Sequence, residues 1–471
     1  MKKTLFALLF GGLCCSGISA QVLETNRPAV DHVFHIATET LYGNVKDSII
    51  HAGGTYGGEW TRDISINAWN AANLLLPEVT RYSLWSVTTD QRSYIGHQYW
   101  DHIIWVTGAY DHYLATGDQA FLQQAYTASN NTMLKLEQEA FDAQYGLFTG
   151  PSVFNDGIAG YEEPIYQPGV NSSYVLDYPH SRQIKCLSTN CIYYHAYELL
   201  AEMSTVCNDQ SMTTYFLSKA AALRQQIRQH LWNAAENRLC YLIDNEGKVH
   251  QHQEGLGISF AILFGVVSPA EAAKLVDQVY VSPYGLPSVY PCFNRFSKEK
   301  PGRHNVMVWP FVNAFWAEAA LRSGRPDKFV FELENRTQLV ESSKDCFYEI
   351  YNCYTGQVSG GWQSGNPNEW NSVHKQSWSA SGYIRMILRG VLGIQFTKEG
   401  LLIAPDPYLM EHLGFRALKD LRYQSGKLQI NRIGKGTTIR EIRVNGIQAG
   451  TESVVIPVGL NDQLTIDIRM N

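Results

Sequence analysis

Clusters of basic residues are missing from this sequence. Its 44 Asp and Glu residues outnumber its 38 Lys and Arg residues, and the formal net charge is −6. Proteins that bind nucleic acid usually carry a basic patch or stripe, so we expect no nucleic acid partner. The acidic balance also disfavours a lyase that acts on a polyanionic polysaccharide, because like charges repel.

Long apolar runs are missing too, apart from one near the N-terminus. Residues 5–15 are apolar, follow Lys2 and Lys3, and lead to a small residue at Ala20. This pattern is typical of a secretory signal peptide, and the run is too short to span a membrane as a mature helix. We expect cleavage after residue 20 and a periplasmic chain without a membrane span. Lipidation is disfavoured because Leu13, rather than a small residue, precedes Cys14.

Cysteine is scarce. The chain has nine, two of them in the apolar run, so an odd number of seven remains. That density is far below the density of a disulfide scaffold. Cys186 with Cys191, or Cys346 with Cys353, could pair in an oxidising compartment. Buried free thiols fit the sequence equally well.

Motifs for several other chemistries are absent. The sequence has no Gly-rich phosphate-binding loop and no G-x-S-x-G nucleophile elbow. His250 and His252 form the nearest approach to a metal motif, but two His residues in a polar loop are more often solvated. We therefore predict no cofactor and no catalytic metal. The loops are rich in Asp and Asn, which would suit a structural Ca²⁺.

Helical periodicity dominates residues 28–391, where apolar residues recur at helical spacing in roughly a dozen segments. Near Val391 the pattern changes to an alternation of period two between Gly and Asn turns, which is typical of strands. The sequence therefore predicts a helical domain at 21–393 and a small β domain at 394–471, after the signal peptide at 1–20.

Long loops between the helices carry acidic residues beside aromatic ones. Aromatic residues make up 12% of the chain, and their flat apolar faces suit sugar rings. The acids are Asp63, Asp156, Glu349 and Glu369, with Glu59 close by. Each has an ordinary structural explanation when taken alone: Asp63 could interact with a helix N-terminus, and Asp156 could stabilise the turn at Gly157.

Five motifs, in order, resemble those of the six-hairpin glycosidases. The nearest are family 63 glycoside hydrolases, the trehalases and the glucosidase region of glycogen debranching enzymes. The motifs are “GGEWTRDISI”, “LFTGPSVFNDGIAGY”, “VMVWPFVNAFWAEAAL”, “YEIYNCYTGQ” followed by “QSWSASGYIRMI”, and “GIQFTKEGLLIAPDPYL”. The chain departs from the family pattern at Cys353, where proline is usual, and in an inserted “GGWQSGNPNEWNSVHK”.

The resemblance implies an (α/α)6 barrel with a small C-terminal β-sandwich domain. It implies an exo-acting, inverting hydrolase of α-linked glycosides, glucosidase- or mannosidase-like, that acts on an oligosaccharide or glycan. Asp156 would be the general acid and Glu349 the general base, with Asp63 and Glu369 as the respective alternatives. The residues implied in substrate binding are Trp60, Arg62, Asp63, Trp309, Gln376 and Trp378.

Two other functions remain open on the same barrel. An inverting phosphorylase uses phosphate in place of water and lacks a catalytic base, so Glu349 disfavours it. A glycan-binding protein that has lost catalysis is disfavoured because both carboxylates are present. The sequence leaves the sugar, the linkage and the oligomeric state open.

Overall fold

A computed structural model describes residues 21–56, 60–363, 369–459 and 462–471. The predicted signal peptide at 1–20 lies outside these residues, as does Glu59. No helix in the described ranges is long and apolar enough to cross a membrane. The cysteines from Cys186 onward are all free thiols, so neither of the suggested disulfides forms.

The helices of residues 28–391 alternate along the chain between an inner ring and an outer layer. In chain order they are α1 Pro28–Gly43, α2 Thr61–Asn67, α3 Asn73–Leu75, α4 Pro77–Ser86, α5 Trp105–Thr116, α6 Gln119–Glu139, α7 Leu187–Val206, α8 Gln210–Leu231, α9 Gly255–Leu263, α10 Pro269–Gln278, α11 Pro310–Arg322, α12 Pro326–Ser342, α13 Ser377–Arg385 and, beyond the barrel, α14 Pro407–Leu413. A π-helical segment, Ala68–Ala72, joins α2 to α3, and another, Met386–Val391, continues α13. Short 3-10 helices lie at His102–Ile104, Ile158–Gly160, Val175–Asp177 and Pro179–Gln183.

Six inner helices close a ring. Helices α2, α5, α7, α9, α11 and α13 each contact the next, and α13 returns to α2. Their sequences explain the position: every residue of α11 from Pro310 to Ala320 is buried, whereas outer helix α8 buries only one stripe. A helix that is apolar all round belongs inside, and an amphipathic helix covers it. The predicted (α/α)6 barrel is confirmed.

The strands fall into short ladders within the loops and a C-terminal strand-rich domain. They are β1 Val22–Glu24, β2 Val45–Lys46, β3 Ile49–Ile50, β4 Thr88–Thr89, β5 Tyr94–Ile95, β6 Phe141–Asp142, β7 Leu147–Phe148, β8 Lys185–Cys186, β9 Trp232–Asn233, β10 Arg238–Leu239, β11 Leu242–Ile243, β12 Val249–His250, β13 Gln253–Glu254, β14 Val289–Tyr290, β15 Met307–Val308, β16 Tyr351–Asn352, β17 Gln395–Phe396, β18 Gly400–Ile403, β19 Ala417–Tyr423, β20 Gly426–Ile433, β21 Ile439–Val444, β22 Ile447–Gly450, β23 Val454–Pro457 and β24 Gln463–Met470.

The C-terminal domain contains two sheets that pack on the barrel. One has the order β1-β19-β20-β24-β21-β22, with only β20 and β24 parallel, and the other has the order β17-β18-β23. Their apolar faces share a core with α1, α12 and α13. Strand β1 comes from the start of the described chain and pairs with β19, Val22 opposite Lys419. The sequence prediction did not include this strand, and the predicted boundary at residue 394 stays a prediction.

One buried acid fastens the loop before α7 to the inner helices. Glu254, just before α9, is fully buried. Its carboxylate accepts hydrogen bonds from the Ser152 hydroxyl at 2.7 Å and from the Ser188 backbone N–H at 3.0 Å. Burial raises the pKa of Glu254 from 4.5 to about 7, although these hydrogen bonds oppose the shift.

This shift makes the stability of the fold depend on pH. The folded pKa is raised, so the stabilising contribution is complete below pH 4.5 and is lost as the pH rises through about 7. A Gln can keep the bond from Ser188 through its oxygen and donate to Ser152. The free energy of unfolding of the parent should therefore fall between pH 5 and pH 8. In Glu254→Gln the fall should be smaller, by up to about 3 kcal/mol. Urea unfolding at the two pH values measures this. The exposed control Glu399→Gln should keep the parental dependence of stability on pH. If Glu254→Gln loses as much stability as the parent over this pH range, Glu254 is not the group responsible.

Candidate functional site

The loops that precede the inner helices converge on one cavity. It is lined by Ala52, Tyr56, Trp60, Arg62, Asp63, Phe154, Asp156, Arg303, Trp309, Glu349 and Trp378. These residues come from the segments before or at the start of α2, α7, α11 and α13. The cavity includes both predicted catalytic carboxylates and every predicted substrate-binding residue except Gln376.

Glu349 is held by two donors and is almost completely buried, with a side chain 5% exposed. Arg303 Nη2 donates to its Oε2 at 2.8 Å, and the Tyr56 hydroxyl donates to its Oε1 at 3.0 Å. Burial and the Glu349 carboxylate raise the pKa of Tyr56 above its ordinary value, so the phenol keeps its proton and remains a donor. Burial alone would lower the pKa of Arg303, but Glu349 raises it above its ordinary value. Glu349 is therefore a fixed carboxylate that faces a permanent cation.

Local strand pairing explains how these groups meet. The segment after Arg303 forms β15 and the segment after Glu349 forms β16, and the two strands pair antiparallel, Met307 opposite Asn352. Arg303 Nη1 also donates to the Gly360 and Asn371 carbonyl oxygens, at 3.2 and 3.3 Å. The guanidinium is thus fixed by the backbone before it reaches Glu349.

Asp156 lies in a more open environment. Its side chain is 29% exposed; one oxygen faces Arg62 Nη2 at 3.5 Å and the other faces His304 Nε2 at 3.6 Å. His304 is fully buried, neither ring nitrogen has a hydrogen-bond partner, and its ring stacks on Trp309 with centroids 4.9 Å apart. Burial, together with Arg303 and Arg62, lowers the pKa of His304 well below its ordinary value, so the imidazole is neutral.

Arg62 is engaged mainly on the side away from Asp156. Its Nη1 donates to Asp101 Oδ2 at 2.8 Å and to the Val153 carbonyl at 3.2 Å. Burial alone would lower the pKa of Arg62, but the charge of Asp101 and, to a smaller extent, that of Asp156 raise it above its ordinary value. The closest contact goes to Asp101, which leaves Asp156 with a longer and weaker one.

Asp63 is the third carboxylate of the cavity and lies in the first turn of α2. Burial raises its pKa to about 7; Arg62 opposes the shift, and the charges of Glu349 and Asp156 add to it. Asp63 therefore holds its proton up to nearly neutral pH.

Aromatic side chains form the walls. Trp309 and Trp378 are buried and meet edge to face with ring centroids 5.9 Å apart, and Phe154 lies 5.2 Å from Trp309. Trp60 is 39% exposed and therefore belongs to the rim. The Nε1–H of Trp378 is buried without a hydrogen-bond partner. A buried donor without a partner at a cavity wall is suited to a ligand oxygen.

Two residues named from the sequence lie outside the lining. Gln376, just before α13, is fully buried and neither end of its amide has a partner. Glu369 is exposed, accepts a hydrogen bond from the Ser359 hydroxyl and lines a separate depression with Trp370 and His374. The structure does not bring Glu369 to Asp156.

Sequence reasoning missed Tyr56, Asp101, Arg303 and His304. One signal was available: Arg303 and His304 form a charged and polar pair directly before the apolar helix motif “VMVWPF”. No local pattern marks Tyr56 or Asp101. The described cavity residues form no cluster of metal-type ligands; the group of potential ligands that the described chain contains lies elsewhere, at Glu162, His250 and His252.

Comparisons with known proteins identify the family of this chain. Residues 102–379, more than half of the chain, match the family model of the mannosylglycerate hydrolase MGH1-like glycoside hydrolase domain. That range contains Asp156 and Glu349. A search of curated proteins gave no significant match.

Several solved structures share the fold at low sequence identity. The GH78 family rhamnosidase of Bacillus sp. GL1 has a TM-score of 0.64 at 14% identity over 96% of this chain. This chain spans only 44% of that enzyme. The GH63 mannosylglycerate hydrolase from Thermus thermophilus in complex with glucose has a TM-score of 0.59 at 15% identity over 75% of this chain and 99% of that one. A rhamnosidase from Klebsiella oxytoca with rhamnose bound has a TM-score of 0.57 at 13% identity over 80% of this chain and 66% of that one.

The family model covers the barrel from the 3-10 helix before α5 to α13, and the structures reproduce the barrel itself. The chain belongs to the mannosylglycerate hydrolase MGH1-like glycoside hydrolase family.

Proposed function

We propose that this protein is a secreted, exo-acting glycoside hydrolase that cleaves α-linked glycosides with inversion. The observation that carries the proposal is the pair Asp156 and Glu349 in one cavity, in two different environments. Two carboxylates of different character, one an acid and one a base, are what hydrolysis of a glycosidic bond needs. They suffice for the chemistry, so we propose no catalytic metal and no organic cofactor.

Glu349 is the general base. Because two donors hold its carboxylate in a fixed orientation, it can accept a proton from a water molecule as the water oxygen bonds to the anomeric carbon. Asp156 is the general acid, which gives its proton to the leaving oxygen as the bond from the anomeric carbon to that oxygen breaks. Its partner Arg62 is already neutralised by Asp101 at 2.8 Å. In an inverting pair the two carboxyl groups are expected to stand about 6.5–9.5 Å apart.

The remaining cavity residues bind the sugar. Arg62 and Asp63 present polar groups to hydroxyls, while Trp309 and Trp378 pack against the ring and Trp60 contacts the glycan at the rim. Gln376 does not line the cavity, and both ends of its buried amide lack a partner. A pocket built by the loops that precede the inner helices suits a chain end, which favours exo-action.

The substrate class is an α-mannoside or α-glucoside. The family description and the Thermus relative both name mannosylglycerate hydrolase, and that relative is also known in complex with glucose. The rival phosphorylase is disfavoured, because a phosphorylase has no need of a base such as Glu349. Product analysis with and without phosphate separates the two.

Secretion gives the first expected outcome. Cleavage after Ala20 leaves Gln21 at the N-terminus, because the segment before it has the charge and apolar pattern of a signal peptide. Mass spectrometry of the chain recovered from the periplasm should find this N-terminus. An acylated Cys14 or Cys15 would contradict the proposal.

The catalytic pair gives the second expected outcome. Asp156→Asn removes the proton donor, so it should impair substrates with poor leaving groups more than glycosyl fluorides or activated aryl glycosides. Glu349→Gln removes the base, so it should abolish turnover of all of them while leaving binding intact. Each loss of kcat should be on the order of 10²–10⁴-fold. Glu369→Gln, a carboxylate outside the cavity, is the matched control and should retain activity.

Proton NMR early in the reaction decides the stereochemistry. An α-linked substrate should release the β-anomer first. Release of the α-anomer, or a glycosyl group trapped on Glu349, would mean a retaining nucleophile and would overturn the roles of Asp156 and Glu349.

Asp63 gives the third. If it only binds substrate, Asp63→Asn should raise KM and lower kcat with little movement of either limb of the pH profile. If Asp63 is the acid instead, parental activity should fall as the pH rises through about 7, the pKa to which burial raises this group, and the variant should lose that limb. The pH dependence of kcat and kcat/KM in both proteins distinguishes the two roles.

A further inference from the structure

A second cluster of ionisable side chains lies apart from the cavity lining. Glu162, His250 and His252 each offer a ligand atom, and these atoms all lie within 4.8 Å of one another. The cluster joins two parts of the chain, because Glu162 belongs to the loop that carries Asp156 and the two His residues belong to the segment of β12 and β13. Side chains two residues apart on an extended segment point to the same face.

His250 is oriented from both sides. It is buried, its Nδ1 lies 2.9 Å from Glu162 Oε2, and its Nε2 lies 2.9 Å from Asp244 Oδ2. A metal-bound His commonly donates its other ring N–H to a carboxylate, which fixes the tautomer and aims the free nitrogen at the metal. Asp244 can serve as that acceptor, with Nδ1 left facing Glu162.

His252 supplies an independent observation. Its Nδ1 is buried and has no hydrogen-bond partner, and its ring lies edge to face against Phe293 with centroids 4.8 Å apart. A buried ring nitrogen without a partner carries a desolvation penalty. A ligand bond would remove that penalty.

Apart from its contact with His250, the carboxylate of Glu162 is not engaged by the nearby Arg295. Arg295, a guanidinium that contacts this loop, donates Nη1 to the Glu162 backbone carbonyl at 2.5 Å and Nη2 to the Ile158 carbonyl at 2.8 Å. Its hydrogen bonds therefore go to the main chain rather than to the side chain of Glu162.

We propose that Glu162, His250 and His252 bind Zn²⁺ as three protein ligands, with water in the fourth position and Asp244 holding His250 in place. Two imidazole nitrogens and one carboxylate oxygen suit Zn²⁺ and its transition-metal neighbours, whereas Ca²⁺ and Mg²⁺ prefer sites built of oxygen ligands. This cation differs from the structural Ca²⁺ that the loop composition suits. Glu162 lies six residues after Asp156 (162 − 156), so the ion fastens the Asp156 loop to the β11–β12 hairpin.

The alternative is a plain ion-pair cluster in which a charged His250 bridges Glu162 and Asp244. The two differ in the behaviour of His252, which a His250 bridge does not need. They also differ in the effect of added metal, because an ion-pair cluster gains nothing from Zn²⁺.

The test uses the full mature chain, freed of metal by a chelator and titrated with Zn²⁺ by calorimetry. We expect one Zn²⁺ per chain and a rise in the thermal unfolding midpoint on binding. His252→Ala and Glu162→Gln should lose both effects. Asp244→Asn should weaken Zn²⁺ affinity by about 10–100-fold without abolishing it. His35→Ala is the matched control, since it removes a surface His that pairs with Glu39 at 3.2 Å, and it should bind Zn²⁺ like the parent.

The outcomes separate the two explanations. Absence of stoichiometric Zn²⁺ binding by the parent, or binding that survives in His252→Ala and Glu162→Gln, would overturn the proposal. If one variant fails to fold, as judged by circular dichroism, the other two still decide. The visible absorption spectrum of the Co²⁺-substituted parent provides a further check. We expect an absorption band of low-coordinate Co²⁺, because such a band requires the ion to be bound by protein ligands. None of these readouts depends on glycosidase activity.

Discussion

The ion pair between Arg62, which lines the cavity, and Asp101 behind it determines how the other charged groups of the site are paired. Both side chains are almost completely out of contact with solvent. A buried charge without a partner would cost several kcal/mol, so Arg62 at the start of α2 requires an acid from the segment before α5. Because Asp101 meets this requirement at 2.8 Å, Asp156 is not the principal counter-ion of Arg62. The Arg62 guanidinium therefore has a carboxylate partner that does not depend on Asp156.

Arg303, on the opposite wall of the cavity, is also a buried charge that requires a carboxylate partner, but its pairing differs from that of Arg62. Among the described side chains, Arg303 pairs with no second carboxylate at comparable distance, and Glu349 is its direct partner at 2.8 Å. The Glu349 carboxylate is therefore fixed beside the Arg303 guanidinium. The two cavity carboxylates thus differ in their pairing: Asp156 shares Arg62 with Asp101, whereas Glu349 is the direct partner of Arg303. The inner helices supply the rigid frame, and the short ladder of β15 and β16 sets the spacing between Arg303 and Glu349.

Local patterns in the sequence were sufficient for a large helical domain followed by a strand-rich one, whereas the barrel and most of the cavity residues were implied by the resemblance to the six-hairpin glycosidases. Trp60, Arg62 and Asp63 stand together in one of the motifs that carry this resemblance, at the start of α2. Such local patterns do not predict contacts between segments that are far apart in the sequence. Tyr56 meets Glu349 across 293 residues of chain, and β1 has only three residues, too few to show an alternation. Glu369, the alternative base, lies in the inserted segment, and its side chain is exposed and lines a separate depression.

The pairing of β1 with β19 has a consequence for the connectivity of the molecule. Val22 near one end of the described chain and Met470 near the other lie in a single sheet, where β19 and β20 separate β1 from β24. Three strand spacings of about 4.8 Å separate the two strands, and the register places Met470 about five residues along β24 from the level of Val22, so the two residues lie roughly 22 Å apart. A linker of about seven or more residues can bridge this gap. The two ends of the described chain therefore lie in the same sheet and can be joined by a short linker. A permuted gene that joins these ends and opens the chain at an exposed outer loop keeps every inner helix in its place in the ring.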